Sequence, residues 1–270
     1  MGKKRNRYRT NKPNRRGIIR KSIKAVLGLI VVTSAMVLLS AALAHSYYAL
    51  LEAEWLRVGE LEISGLKHLE REQILNTLKV PRNVNVLTLK MSELAERVEA
   101  LPWIKSAVVR LELPGRLVVE VIERDPIAII EADDFLLLDK DGRLFLQASR
   151  EDNPGLLLVT GFSGTNLKEG DFLPPQPMKA LKRLLAALQR AQGWLPSQLI
   201  TECHWRSDEG FVLLITQKAI PVELGLDDPD QTLERLQRIF AMLKERQWLD
   251  VVTRIDLNYP NRAYVESVSR

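Results

Sequence analysis

The chain has 270 residues, 46% hydrophobic and 27% charged, with a formal net charge of +5. That excess does not mark a nucleic-acid binder, because eleven of the 39 Lys and Arg precede Ala25, leaving 28 against 34 acidic residues, the first of which is Glu52. A single cysteine, Cys203, excludes an intrachain disulfide, so folding rests on packing.

Residues 1–22 are polar and basic with no apolar period, and read as a disordered tail. From Ala25 to Ala44 (AVLGLIVVTSAMVLLSAALA) no residue is charged. About twenty residues at about 1.5 Å each cross a hydrocarbon core of about 30 Å, which predicts one membrane-spanning helix over residues 23–48. The basic leader keeps the N-terminus cytoplasmic and exports the rest, with Tyr47, Tyr48 and Trp55 at the outer interface. A cleaved signal peptide competes, since Ala42-Leu43-Ala44 fits an A-x-A site, but the run exceeds the roughly 7–15 apolar residues of a signal core.

The exported part is long enough for two small domains. Trp55–Ile63 alternates as a strand and ends at a Ser64-Gly65 turn; His68–Leu78 has helical apolar spacing. A loop with Pro81 and two asparagines leads to a second helix, Met91–Ala100, stopped by Pro102. Ile104–Leu111 and Leu117–Glu123 form a hairpin about Pro114-Gly115. The order β-α-α-β-β over residues 55–125 predicts a small unit with two helices on one face of a three-stranded sheet, and Trp103 as a core anchor between the second helix and that sheet.

Residues 126–270 are β-rich. Strands are predicted at Ala128–Glu131, Phe135–Asp139, Leu144-Phe145 and Gly155–Thr160, then a stiff lead through Pro174, Pro175 and Pro177 into a helix over Met178–Arg190. Strands follow near Leu199–Arg206, Gly210–Thr216 and Ile220–Leu224. Asp228 as N-cap, Pro229 and Gln231 then open another helix. Thr253–Leu257 and Arg262–Val268 are the last two strands. The fold class is α+β, with these two helices packed on an antiparallel sheet.

No residue pattern points to catalysis. The three histidines, His45, His68 and His204, are not at metal-ligand spacing, and Cys203 and His204, as strand neighbours, point to opposite faces. Asp133-Asp134 and Asp227-Asp228 fall in predicted turns or caps, and Gly161, Gly164 and Gly170 do not form a phosphate loop. No catalytic residue, metal, cofactor or small-molecule substrate is assigned; a binding module is expected.

Two stretches, LEISGLKHLEREQIL and LPWIKSAVVRLELPGRLVVEVIERDPIA, resemble the POTRA domain of the bacterial cell-division family FtsQ/DivIB. Gly65, Leu101-Pro102-Trp103-Ile104, Arg110, Pro114, Leu117, Glu123-Arg124 and Pro126 carry that likeness, directly after one membrane helix. IDLNYPNRAYV, with Val159-Thr160-Gly161 and Leu224-Gly225, resembles the family's membrane-distal domain. The resemblance implies an inner-membrane scaffold at the division septum whose partners are FtsB and FtsL and, through them, the septal peptidoglycan synthase. It implies strand addition at an exposed sheet edge, with Tyr259, Asn261, Arg262, Ala263, Tyr264 and Val265 as contacts. Of these, Asn261, Arg262 and Tyr264 are expected to recognise the partner while Ala263 and Val265 face the core. Relatives often carry arginine where this chain has Asn258, which puts that arginine's charge contact in question. Rival readings are a POTRA-bearing transport or secretion component, which would need a large barrel, and a membrane-anchored cell-wall hydrolase, which would need a catalytic cleft.

Overall fold

The computed structural model describes residues 15–81, 84–215, 218–259 and 262–268. The first helix, α1 (Arg15–Glu52), is 38 residues long, or about 57 Å, and so outruns the predicted 23–48 at both ends. Most of the tail expected to be disordered, residues 1–14, lies outside the described residues. Within α1, Val26–Glu52 is long and apolar enough to cross a membrane, and its apolar side chains are exposed, as lipid-facing groups must be.

Backbone contacts divide the chain into two compact units. One joins Met1–Glu62, Lys79–Ser92 and Val109–Val119; the other joins Ile63–Leu78, Glu93–Val108 and Glu120–Arg270. The secondary structure after α1 follows the predicted order: β1 (Glu60–Ser64), α2 (Arg71–Leu78), α3 (Met91–Glu99), β2 (Ile104–Glu112) and β3 (Arg116–Glu123), with a three-stranded sheet ordered β1-β3-β2. The strand predicted from Trp55 is shorter: Glu54–Leu56 forms a 3-10 turn that buries Leu56.

In the first unit, Asn85 addresses a general problem of helix ends, whose last carbonyls lack partners. Its buried amide donates to the carbonyls of Leu50 (2.9 Å) and Leu51 (2.7 Å) at the C-terminal end of α1.

In the second unit, Gly65 has φ of +90°, and a Cβ there would run into the Val121 carbonyl, so the turn after β1 requires glycine. The carboxylate of Glu123, its side chain fully buried, accepts the backbone N–H of Lys67 (3.0 Å), His68 (2.8 Å) and Leu69 (3.1 Å). It also meets His68 Nδ1 at 3.0 Å. Burial alone would raise the pKa of Glu123, but these bonds outweigh it and hold it below the ordinary glutamate value.

Next in sequence, Arg124 forms a buried pair with Asp139 at 2.6 Å, and its N–H donates to the Trp103 carbonyl at 2.8 Å. Trp103 differs from expectation. Its ring stacks on His68 (4.4 Å between centroids) and meets the edge of Phe145 (5.3 Å), packing with Ile129, Leu137 and Leu158 of the larger sheet. The indole joins the turn at His68 to that larger sheet.

The larger sheet has nine strands, ordered β12-β11-β10-β9-β8-β7-β4-β5-β6. They are β4 (Pro126–Glu131), β5 (Phe135–Asp139), β6 (Leu144–Gln147), β7 (Leu157–Thr160), β8 (Ile200–Arg206), β9 (Gly210–Ile215), β10 (Ile220–Gly225), β11 (Val252–Asp256) and β12 (Tyr264–Ser267). Where an antiparallel sheet was predicted, the sheet is mixed: β4·β7, β7·β8 and β10·β11 are parallel. The reason is connectivity. Parallel neighbours need a long crossover, and α4 (Pro175–Ala191) supplies one between β7 and β8, α5 (Pro229–Glu245) another between β10 and β11.

Prolines expected in an extended lead sit differently: Pro175 and Pro177 lie in the first turn of α4, where a missing N–H costs nothing. Asp228 caps α5 as predicted. Leu181, Leu184, Leu233, Leu236 and Leu243 from the two helices are buried with Val159, Cys203, Leu213, Val222 and Ile255 of the sheet. Arg190 and Asp230 tie α4 to α5 through two bonds, at 2.8 and 2.6 Å.

Candidate functional site

The two ends of the nine-stranded sheet differ. At one, the start of β6 is covered on its outer side, since Leu144 N–H donates to Asp171 O (2.8 Å) and Gly170 N–H donates to Leu144 O (2.6 Å). At the other, among the described residues, β12 pairs with β11 alone. Its register runs Val252↔Ser267, Arg254↔Glu266, Ile255↔Val265 and Asp256↔Tyr264. Val268 N–H donates inward to Val251 O at 2.9 Å. Backbone groups alternate sides along a strand, so Val265 and Ser267 turn their N–H and C=O away from β11. A row of unpaired groups of this kind is a template for an added strand.

The predicted contact residues gather here, with corrections. Tyr259 and Tyr264 are about half exposed, and their rings meet edge to face at 5.4 Å. Arg262, Ala263, Tyr264 and Val265 are all exposed, and Asn261 lies outside the described residues. Ala263 and Val265 were expected to face the core. Val265 lies directly opposite the buried Ile255 and so shares its face of the sheet, but it and Ala263 are exposed: the helix-covered core reaches Val252, Ile255 and Leu257 and includes no residue of β12. All four residues of the last strand are exposed, so both of its faces are open.

Two anchors that sequence reasoning missed hold the approach to β12. Arg235 of α5 donates to the carbonyls of Tyr259 (2.6 Å) and Arg262 (2.8 Å), fixing both ends of the connecting loop. An arginine on an amphipathic helix gives no sequence signal for such a role. The second anchor is Glu223, a buried carboxylate bonded to Arg254 at 2.7 Å and to the Asn258 amide at 3.2 Å, with Arg206 at 3.5 Å. Arg254 also reaches Glu266 of β12 at 3.6 Å. Asn258 thus meets a charge that arginines elsewhere already balance. Gly225, at φ +77°, leaves room for it, since a Cβ there would lie 3.1 Å from Asn258 Oδ1.

The Cys203-His204 pair splits between faces as expected. Cys203 is fully buried in the helix-side core, and burial pushes its thiol pKa up; His204 Nδ1 lies 2.7 Å from Thr160 Oγ1, which donates to Glu202 at 2.6 Å. A thiolate is the reactive form. Maleimide labelling of the folded chain is therefore expected to be at least about a hundredfold slower than in urea, and equal rates would refute the burial of Cys203. Among the described residues no group of three or more His, Cys, Asp or Glu could hold a metal.

A family model described as POTRA domain, FtsQ-type, matches residues 56–124, and one described as cell division protein FtsQ/DivIB, C-terminal, matches residues 128–258. The cell division protein FtsQ of Geotalea daltonii is 26% identical over 261 residues, covering 96% of this chain and 92% of that protein. Those of Syntrophotalea carbinolica and Geobacter sp. strain M21 are 29% and 31% identical, covering 80% and 79% of this chain and 76% and 77% of theirs. The chain belongs to the FtsQ/DivIB family of cell division proteins.

Proposed function

We propose that the chain is a non-catalytic scaffold of the division septum, held in the cytoplasmic membrane by α1 with its N-terminus inside. Residues 55–125 act as a POTRA domain and residues 126–270 as the partner-binding domain. The partner, an FtsB-like protein acting with an FtsL-like one, adds a strand along β12, and through it the septal peptidoglycan synthase is assembled. The observation that carries this reading is the asymmetry of the nine-stranded sheet: the start of β6 is covered by the Gly170-Asp171 backbone, whereas among the described residues β12 pairs with β11 alone, with Val265 and Ser267 offering outward backbone groups. The orientation rests on the eleven basic residues before the apolar run.

Affinity for the extracytoplasmic segment of the FtsB-like partner, measured on the full-length chain in nanodiscs, tests the proposal. Arg235→Ala is expected to weaken binding about tenfold, because the loop before β12 loses its two carbonyl contacts and must be ordered on association. Unchanged affinity would remove Arg235 from the account. A fluorescent fusion is expected at the constriction of dividing cells, and uniform envelope fluorescence would count against a septal role.

A further inference from the structure

A recess lies in the same unit, on the helix side of the sheet. It is a groove of about 680 Å³ between the C-terminal half of α5 and the β9-β10 hairpin. Its walls include Trp194, Ile215, Ile220, Phe240 and Leu249, and the Trp194 and Phe240 rings lie 6.4 Å apart. That volume falls within the range of recesses that bury ligand groups. Few polar groups enter it, so it suits apolar side chains better than a polar small molecule.

Two lysines stand at its rim. Lys218 is committed to Asp250, bonding its carboxylate at 2.9 Å and its carbonyl at 3.1 Å. Lys244 has no ion pair among the described residues. An apolar trough with one uncommitted cation is complementary to an apolar segment carrying a carboxylate. Position supplies the link to β12: Leu249 and Asp250 line the groove, and the next residue, Val251, accepts the N–H of Val268 at the end of that strand.

We propose that this groove receives an extension of the same partner chain that pairs with β12. Apolar side chains of the extension fill the space between Phe240 and the hairpin, and an acidic residue of it meets Lys244. This rests on the strand-addition reading and adds a partner segment of apolar and acidic character where the added strand leaves Ser267 and Val268.

The test uses the full-length chain in nanodiscs and two probes: the complete extracytoplasmic segment of the strand-donating partner, and a peptide of its pairing strand alone. Ala241→Arg places a bulky cation on an exposed position of the groove wall, and Lys244→Glu reverses the rim charge. Each is expected to weaken the complete segment about tenfold and leave the strand peptide unchanged. Replacing the acidic partner residue by lysine is expected to restore binding to the Lys244→Glu chain. Val265→Pro, by contrast, should abolish both probes if the edge reading holds; if it abolishes neither, that reading fails. Full abolition by Val265→Pro together with wild-type binding by Ala241→Arg and Lys244→Glu would overturn the groove proposal alone. Conversion of a dimer to a monomer by Ala241→Arg, with the partner bound normally, would assign the groove to a second copy and overturn it equally.

Discussion

Val265→Pro is expected to lower affinity for the strand-donating partner at least about a hundredfold while leaving the melting temperature within a few degrees of the parent. Proline has no N–H to donate, and its ring occupies the space an added strand would need. At most positions in a sheet this would also break the native ladder. At Val265 the lost N–H points away from β11, the situation in which strands tolerate proline. A hundredfold is about 2.7 kcal/mol, the scale of one lost hydrogen bond plus a steric block. Calorimetric titration reads the affinity, and a melt read by circular dichroism establishes the fold. Tyr264→Pro is the matched control: its backbone groups face β11, so it should destabilise the strand itself. Equal, undiminished binding by both variants would mean the partner does not use this edge.

The largest stability effect is expected at Glu123. Glu123→Ala strands the N–H groups of Lys67, His68 and Leu69 together, and a loss of about 3 kcal/mol follows even after allowing for water reaching the turn. Glu123→Gln keeps an acceptor but not the charge, and should cost about half as much. The pH dependence has a definite sign. The folded pKa of Glu123 is depressed, so its stabilisation is complete above the ordinary glutamate pKa of about 4.3 and is lost as pH falls through the lower folded value. Urea denaturation between pH 3 and 6 should show an acid-side decline that is shallower in Glu123→Gln. Identical slopes would mean that other carboxylates dominate acid unfolding, Asp125 and Asp141 being candidates, since Lys67 and Lys105 lower their pKa values.

Much of the fold was legible in the chain itself, because its signals are local. The uncharged run that becomes α1, the alternation of β2 and β3, and the Asp228-Pro229 start of α5 each depend on residues within one turn or one strand. What escaped depends on partners far away in sequence. Trp103 has the composition of a core residue, and nothing beside it points to Phe145, forty-two positions on. The parallel pairs of the large sheet follow from where α4 and α5 cross over, which strand periodicity does not encode. At the candidate edge, the alternation of Ala263 and Val265 with polar neighbours suggested an inward face. That pattern matches a half-buried strand whether or not a layer exists to cover it, and here every residue of β12 is exposed. Arg235 and Asn85 were missed for the same reason: each bonds backbone carbonyls 24 to 35 residues distant.

The Glu123-Arg124-Asp125 sequence leaves no slack between β3 and β4. Its first residue is pinned under the turn at Lys67–Leu69, its second is locked to Asp139 and to the Trp103 carbonyl, and its third is bridged to Lys67 at 3.2 Å. A tug on the outermost strand would travel across the ladder to β4 and reach the turn at Lys67 without first taking up a slack tether. Inserting a few glycines after Asp125 should therefore release the turn, read as faster amide exchange at Lys67–Leu69 while the nine-stranded sheet keeps its protection.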